Sequence, residues 1–185
     1  MSAAMLRDPG REVPTIEDDR ESAVHVLTWI ALRYTKHDRL DSLNSELVMY
    51  DEVDDNSFIT GGMTKGSQFW SQIFATFTSA PLNRILSALR KTFTARYGPA
   101  YSAEEIKEVN DFVARAELDP AIDASMFYQL LPRIYGSRME ALGRPKWLVE
   151  ILDKHLKSDD WPSDDKAVAN PLPAKKRTWV RITRY

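Results

Sequence analysis

The sequence contains no cysteine, no long apolar run and no marked excess of charge of one sign. Without cysteine, the chain forms no disulfide, no thiolate metal site and no thiol nucleophile. Its most apolar stretch, about ten residues after Ser22, falls well short of the roughly 20 that a membrane span needs. A net charge of -2 gives no electrostatic reason to expect a nucleic acid or a membrane surface as a partner.

What is present is enough for one folded domain. The chain has 185 residues, of which 43% are hydrophobic and 28% charged, so it can bury a substantial core. The first residues lead into Arg7 and Asp8 without the apolar segment of a secretory signal. We therefore expect an intracellular protein of the cytoplasm or the nucleus.

Residues 18–34 are the stretch around which we expect the fold to be organised. Apolar residues recur there at helical spacing and predict a core-facing stripe of Ala23, Val26, Leu27, Ile30 and Ala31. Three further apolar residues, Val24, Trp29 and Leu32, cover much of the other side. A helix that is apolar nearly all round is surrounded by other elements. Capping oxygens are available at its start from Thr15, Asp18 and Asp19.

Five more helices are predicted, with apolar residues over 69–77, 82–93, 102–113, 127–135 and 145–156. Ser79 and Pro81 are the predicted start of the second, which ends before Gly98, and Ser102 with Glu105 is the predicted capping box of the third. Pro132 is expected to disturb the fourth. No segment alternates as a half-buried strand does, so the sequence predicts an all-α fold. Residues 1–17 read as an extended lead-in, and residues 36–61 read mostly as loop with a short helix. We place the domain at 1–157. Residues 158–185 are rich in Asp, Pro, Lys and Arg, which predicts a disordered tail; its basic end, Lys175 to Arg177, leaves nuclear import open.

The segment from Thr15 to Trp29 resembles the central helix of the C-terminal lobe in the fungal-type protein kinase family. It is similar to the family form D-D-x-E-S-x-x-x-V-L-x-W, with Asp18, Asp19, Glu21 and Ser22 in register. Two more pieces agree in order. Residues 1–6 resemble the end of the family's activation segment, and residues 50–53 and 60–65 resemble its Asp-Glu-Val and Gly-Gly pieces. The likeness covers roughly residues 1–157.

The resemblance implies a kinase C-lobe-like helical bundle from a family that uses ATP and Mg to phosphorylate protein Ser or Thr. That chemistry needs a glycine loop, a strand lysine, an H-R-D loop and a D-F-G metal site. In the family all four precede the point where this sequence begins. We therefore expect a catalytically incomplete C-lobe segment, with no catalytic, cofactor-binding or metal residue of its own. The alternative is a non-catalytic helical module that binds another protein.

The expected partner is accordingly a protein, or the complementary half of a kinase, and neither a nucleic acid nor a membrane. The residues expected to matter are structural. In the family, the aspartate matching Asp19 caps the central helix and holds the catalytic loop. Because this sequence has no such loop, we expect the Asp19 carboxylate to cap the helix or to face solvent. Leu27 and Trp29 lie on different faces of a helix predicted to be enclosed. Without the family's catalytic loop, we expect the side bearing Val24 or Leu32 to be uncovered.

Two segments imitate catalytic motifs but differ at the residues that matter. His37 to Leu40, followed by Asn44, has Asp and Arg exchanged relative to H-R-D-L-x-x-x-N, which moves the base from its place. Residues 61–67 place a glycine between the lysine and the serine of a phosphate loop. Both are predicted to be ordinary loop or turn. His25 has no partner by spacing and is assigned no catalytic role.

Overall fold

The structure, a computed structural model, describes residues 2–7, 13–51, 62–70, 75–119, 121–163 and 167–169. These residues are helical apart from their connections, and their only β structure is an isolated antiparallel bridge between His37 and Phe77. The predicted all-α class is confirmed. The α-helices are α1 (Ala3–Arg7), α2 (Ile16–Tyr34), α3 (Leu43–Asp51), α4 (Gly62–Gln68), α5 (Ala80–Tyr97), α6 (Ala103–Glu117), α7 (Leu131–Gly143) and α8 (Trp147–Leu156), with a 3-10 helix at Ala124–Gln129.

Local capping chemistry sets where the helices begin. Ser79 caps α5, with Pro81 in its first turn where a missing N–H costs nothing. Ser102 and Glu105 form a reciprocal capping box at α6: each backbone N–H donates to the other residue's side-chain oxygen, at 2.7 and 3.1 Å. Thr15 and Asp18 form the corresponding box at α2. The predicted caps are confirmed at α5 and α6. At α2 Asp18 makes the cap, whereas Asp19, also predicted as a cap, is exposed.

Several predicted boundaries were wrong. The helix expected over 69–77 is absent from the described part of that range: α4 ends at Gln68, residues 69–70 form a turn, and Phe77 lies in the bridge to His37. Residues 71–74 lie outside the described residues. The lead-in expected over 1–17 contains the short α1, whereas the short helix expected within residues 36–61 is present as α3. The helix expected over 127–135 is split into the 3-10 turn and α7. Pro132 falls in the first turn of α7, where proline starts a helix instead of disturbing it.

Two apolar clusters form the core. One contains Ala31, Leu32, Leu43, Leu47, Ala75, Phe77, Leu82 and Leu86, and the other Val24, Phe69, Ile85, Leu89, Phe93, Leu142 and Trp147. Both α2 and α5 contribute to both clusters. Helix α5 packs on α2, α7 and α8, and α2 packs on α1, α3, α5 and α7. The centre of the fold is therefore the pair of helices α2 and α5. The other helices do not surround α2 alone as a single central helix.

The burial of α2 differs from the predicted core-facing stripe. Ala31 is buried and Leu27 half-buried, but Ala23, Val26 and Ile30 are exposed. The inward face instead consists of Glu21, Val24, His25, Thr28, Ala31 and Leu32. The prediction was wrong because it counted only apolar side chains, whereas three of these six positions are polar. Of these, Glu21 and Thr28 are buried with hydrogen-bond partners.

The prediction that the side of α2 bearing Val24 or Leu32 is uncovered was also wrong. Val24 and Leu32 are 1% and 0% exposed, because α5 and its neighbours cover them. Arg20, on the same helix, is buried and donates to the carbonyl oxygens of Leu142 and Pro145, the latter at 3.0 Å. This arginine fixes α2 against the turn between α7 and α8.

The first residues of the predicted tail contact the helical body. Trp161 packs against both clusters and donates its indole N–H to the His155 carbonyl at 3.0 Å. Arg84 pairs with Asp160 at 2.6 Å. The helical body thus extends past residue 157, and residues 164–166 and 170–185, with the basic segment, lie outside the described residues. Among the described helices, none combines the length and the apolar character that a membrane crossing requires.

Candidate functional site

The first turns of α2 carry a buried polar cluster, which we define as Ser2, Asp18, Glu21, Arg96 and Tyr97. Asp18 is 2% and Glu21 0% exposed. The Arg96 guanidinium bridges them, with Nη2 2.8 Å from Asp18 Oδ1 and Nη1 2.8 Å from Glu21 Oε2. Charged groups tolerate burial only when they are paired and hydrogen-bonded, and these ion pairs meet that condition. They also tie the end of α5 to the start of α2.

Asp18 also holds the chain on either side of it. The backbone N–H and the hydroxyl of Thr15 donate to Asp18 Oδ2, at 2.8 and 3.0 Å. The Ser2 hydroxyl donates to Asp18 Oδ1 at 3.1 Å. One carboxylate therefore caps its own helix and anchors the segment just before α1.

Glu21 completes the anchorage of α1. Its Oε1 accepts the backbone N–H of Ala3 at 2.6 Å, and its Oε2 accepts the Tyr97 hydroxyl at 2.5 Å. The buried His25 lies with Nε2 3.4 Å from Oε1, without the geometry of a hydrogen bond. Together, Glu21 and Asp18 fix the backbone of residues 2–3 against α2.

The electrostatics keep Asp18 and Tyr97 each in one protonation state near neutral pH. Burial alone would raise the pKa of Asp18, but the Thr15 backbone N–H, Arg96 and the Thr15 hydroxyl outweigh it and lower that pKa from 3.8 to about 2. Burial and the adjacent negative charge of Glu21 raise the pKa of Tyr97. Tyr97 therefore remains a hydroxyl donor and Asp18 an ionised acceptor.

The chemistry open to the two carboxylates is limited by their partners. Both oxygens of Asp18 accept two hydrogen bonds each, and each oxygen of Glu21 is also occupied. A general base needs a free lone pair within reach of a substrate proton. The buried polar cluster is therefore built to hold backbone segments together, and it presents no acid or base to a substrate.

The opposite side of α2 carries an exposed stripe, which we define as Ile16, Asp19, Ala23, Val26 and Ile30. These are the only exposed residues of this helix. Their spacing of three and four residues places them on one face. Val26 is 57% and Ile30 45% exposed. Four of the five are apolar, so the solvent-accessible face of α2 is largely made of side chains that interact unfavourably with water.

The three residues singled out from sequence are not brought together. Asp19 is exposed and lies in the exposed stripe, while its neighbour Asp18 makes the cap. Leu27 is half-buried and packs against both apolar clusters. Trp29 is half-buried against the first cluster, and the Arg33 guanidinium lies 4.5 Å from its ring centroid. Both hydrophobic residues are peripheral to the core.

The two imitations of catalytic motifs have structural roles where they are described. His37 is buried, and its Nδ1 accepts the Arg39 backbone N–H at 3.0 Å. Its Nε2 lies 2.8 Å from the Leu32 carbonyl oxygen, to which it must therefore donate. This segment turns the chain after α2. Residues 62–68 form α4, whose Gly66 packs so closely on the Tyr97 ring that a Cβ would lie 2.9 Å from it. Most of the acidic segment 51–55 lies outside the described residues.

The described residues contain no group of three or more His, Asp or Glu placed to hold a metal ion. No protein-family model, curated protein or solved structure matches the chain.

The sequence reasoning missed Glu21 and Arg96, which carry the buried polar cluster. Glu21 follows Asp18 by three residues, so both lie on one helix face. Two acidic residues on the inward side of an otherwise apolar helix predict a buried basic partner. Nothing in the sequence identifies Arg96 as that partner, because the pairing joins residues 75 and 78 positions apart.

Proposed function

We propose that this chain is a C-lobe segment of a fungal-type protein kinase, and that its exposed stripe binds the part of a kinase domain that carries the catalytic loop. The observation behind the proposal is the stripe itself. A helix whose other faces are buried or half-buried leaves Ala23, Val26 and Ile30 in solvent. Contiguous exposed apolar surface of this kind marks an interaction site.

The position of Asp19 supports this assignment of the partner. In the family, the corresponding aspartate holds the backbone of the catalytic loop. Asp19 is exposed in the same stripe, near the start of α2, where it can accept backbone N–H groups of an incoming loop. A carboxylate at the head of an apolar face offers both parts of such an interface: acceptor oxygens and a surface for burial.

The way in which residues 2–3 dock on α2 also supports the proposal. Residues 1–6 resemble the end of the activation segment, which in the family directly precedes the central helix. Here Ser2 and Ala3 donate to Asp18 and Glu21. The start of α2 is thus adapted to hold backbone from the segment before it.

The chain does not perform phosphoryl transfer by itself under this proposal. The sequence carries no glycine loop, strand lysine, H-R-D or D-F-G motif, and these are the groups that bind nucleotide, metal and substrate hydroxyl. ATP and Mg would be handled by the complementary segment. Isothermal calorimetry with Mg-ATP should show no binding at micromolar concentrations, and micromolar affinity would contradict the assignment.

The direct test is complementation. The chain is mixed with a separately purified fungal-type kinase segment that runs from the glycine loop to the end of the activation segment. We expect a complex, weakened at least about tenfold by Val26→Lys with Ile30→Lys, since a charge buried at an interface is strongly unfavourable. Val149→Lys with Leu156→Lys, at two exposed apolar positions on α8, is the matched control. Equal weakening by both pairs, or no complex, would contradict the proposal.

A second candidate is a non-catalytic helical module that binds a different protein through the same stripe. It is favoured by the engagement of Asp18 and Glu21, since both carboxylates are used to hold backbone segments and neither is presented to a substrate. Recovery of a partner that is not a kinase, whose binding the stripe variant abolishes, would favour this candidate over the first.

A further inference from the structure

A cavity of about 260 Å³ opens between α5 and α7. It shares no residue with the exposed stripe or the buried polar cluster. Its lining consists of Lys91, Gln129, Arg133, Ile134, Ser137 and Arg138. The volume is below the roughly 300–1,000 Å³ of sites that enclose drug-sized molecules. A small polar group is therefore the kind of ligand that fits.

The lining has a strong charge bias. Three of its six side chains are cations, and none is a carboxylate. Arg138 is held by a neutral group, since its Nη1 donates to the Thr94 hydroxyl oxygen at 2.6 Å. Burial lowers the pKa of Arg138, although an arginine stays charged in a protein. Arg133 donates to the Asn110 side-chain oxygen at 3.5 Å. The positive charge of the lining side chains favours an anion as the ligand.

The donors are also suitably placed. Thr94 donates its own hydroxyl hydrogen to the Lys91 carbonyl at 2.8 Å, which fixes the acceptor that positions Arg138. On α7, Arg133 and Ser137 are one turn apart and face the same cavity. Two guanidinium groups, an ammonium group and a hydroxyl supply charge-assisted donors from two helices. Planar guanidinium forks match the oxygens of a phosphate particularly well.

We propose that this cavity binds a phosphate group. Inorganic phosphate and a phosphate monoester on a peptide share the tetrahedral dianion that the donors recognise. Neither source is required by the geometry, so the experiment compares both. Binding is measured by calorimetry at constant ionic strength, with inorganic phosphate, a capped phosphoserine tripeptide, its unphosphorylated counterpart, and chloride as the blank.

The variants separate a site from a general charge effect. Lys91→Gln with Arg133→Gln removes two lining cations, while Lys107→Gln with Arg144→Gln removes two exposed cations that pair with Asp111 and Glu150. We expect the first pair to weaken phosphate binding about tenfold or more and the second to change it less than about twofold. Thermal unfolding of each variant confirms that it is folded. Arg138→Gln is a further variant, expected to weaken binding similarly.

Two phosphate sources lead to distinct supporting results. Saturable binding of inorganic phosphate shows that the free dianion is sufficient, and saturable binding of the phosphopeptide alone shows that flanking atoms contribute. No saturable binding of either, equal binding of the unphosphorylated peptide, or equal loss in both variant pairs would overturn the proposal.

Discussion

Asp18 and Asp19 show how differently two adjacent, chemically identical residues can be used. Asp18 points into the protein, where Thr15, Ser2 and Arg96 surround its carboxylate. Asp19 is turned about 100° further round the helix and is exposed. The resemblance to kinases directed attention to Asp19, whereas the fold depends on Asp18. We expect Asp19 to matter only when a partner is bound.

Replacement of Asp18 by Asn should therefore be much more costly than the same change at Asp19. Asp18→Asn leaves Arg96 partly uncompensated in a buried site, and we expect a loss of about 3 kcal/mol in the free energy of unfolding. Asp19→Asn, at an exposed position one residue away, should change it by less than about 0.5 kcal/mol. Urea titrations of the two variants and the parent chain make the comparison. A loss at Asp18 as small as that at Asp19 would mean that the buried polar cluster contributes little to the free energy of unfolding.

The lowered pKa of Asp18 also predicts a pH dependence. Its pKa is about 2 in the folded protein against 3.8 as the reference value. Its ionised form is favoured by folding, so this stabilisation is complete above about pH 5 and is lost as the pH falls towards 2. The difference corresponds to about 2 kcal/mol.

Asp18→Asn should remove that part of the acid destabilisation, so the parent chain and the variant should converge in stability near pH 2. Asp19→Asn should keep the parent chain's profile. Parallel pH profiles for the parent chain and Asp18→Asn, with a constant gap down to pH 2, would contradict the assigned role.

At the scale of the element, α2 has two apolar sides with different roles. The side with Val24 and Leu32 is core, and the side with Val26 and Ile30 is exposed. An apolar pattern in sequence cannot tell a core face from an interface, because both are selected for burial. The polar residues resolve the ambiguity: Glu21, on the Val24 side, can be buried only with partners inside the fold.

Truncations on the two sides should therefore have different costs. Leu32→Ala removes a fully buried side chain and should cost about 2–5 kcal/mol. Val26→Ala, at an exposed position, should cost less than about 0.5 kcal/mol. Leu27→Ala, at a half-buried position, should lie between them, at about 1–2 kcal/mol. Chemical denaturation of the three variants tests this order. A loss at Val26 as large as that at Leu32 would mean that the exposed stripe packs within the protein.

Sequence was a good guide to elements with local signals and a poor one elsewhere. The Ser79, Pro81 and Ser102 signals located α5 and α6, because capping is decided by residues within one turn. The spacing of Phe69 and Phe77 predicted a helix, and this was wrong. The same spacing is compatible with a turn and an extended segment whose aromatic rings pack in the core. For α7, the sequence predicts that Pro132 disturbs a helix, but a proline in the first turn starts a helix equally well.

The candidate site was less predictable than the fold. Local spacing placed Asp18 at the start of α2, but the Arg96 and Tyr97 contacts come from α5 and depend on tertiary packing. The family resemblance singled out α2, left the Asp19 carboxylate for capping or solvent, and predicted that the side bearing Val24 or Leu32 is uncovered. It did not indicate that the face of Val26 and Ile30 is the uncovered one.

At the scale of the whole molecule, the fold closes around α2 and α5 yet leaves one long face of α2 open. Polar contacts fix α2 at several points: the buried polar cluster at its start and Arg20 at the turn before α8. The exposed stripe is thus displayed on a firmly held helix. A rigid apolar surface is well suited to binding, because little freedom is lost when it is covered.

Without its partner, the chain should associate through this surface. We expect light scattering to show a concentration-dependent increase in mass for the parent chain. Val26→Lys with Ile30→Lys should reduce that increase, since charged residues oppose burial. The control pair on α8, Val149→Lys with Leu156→Lys, should leave it largely unchanged. A monomer at all concentrations would mean that the stripe does not self-associate, and a greater effect of the α8 pair would place the contact elsewhere.

Helix α2 has a buried face formed by Val24 and Leu32 and an exposed face formed by Val26 and Ile30, and we propose that the exposed face binds the partner. Carbene footprinting of side chains measures this directly in the dilute chain and again after the complementary kinase segment is added. We predict heavy labelling of Val26 and Ile30 and little labelling of Val24 and Leu32 in the free chain. On complex formation the labelling of Val26 and Ile30 should fall. Equal labelling of both faces in the free chain, or a complex that leaves Val26 and Ile30 fully labelled, would contradict the account.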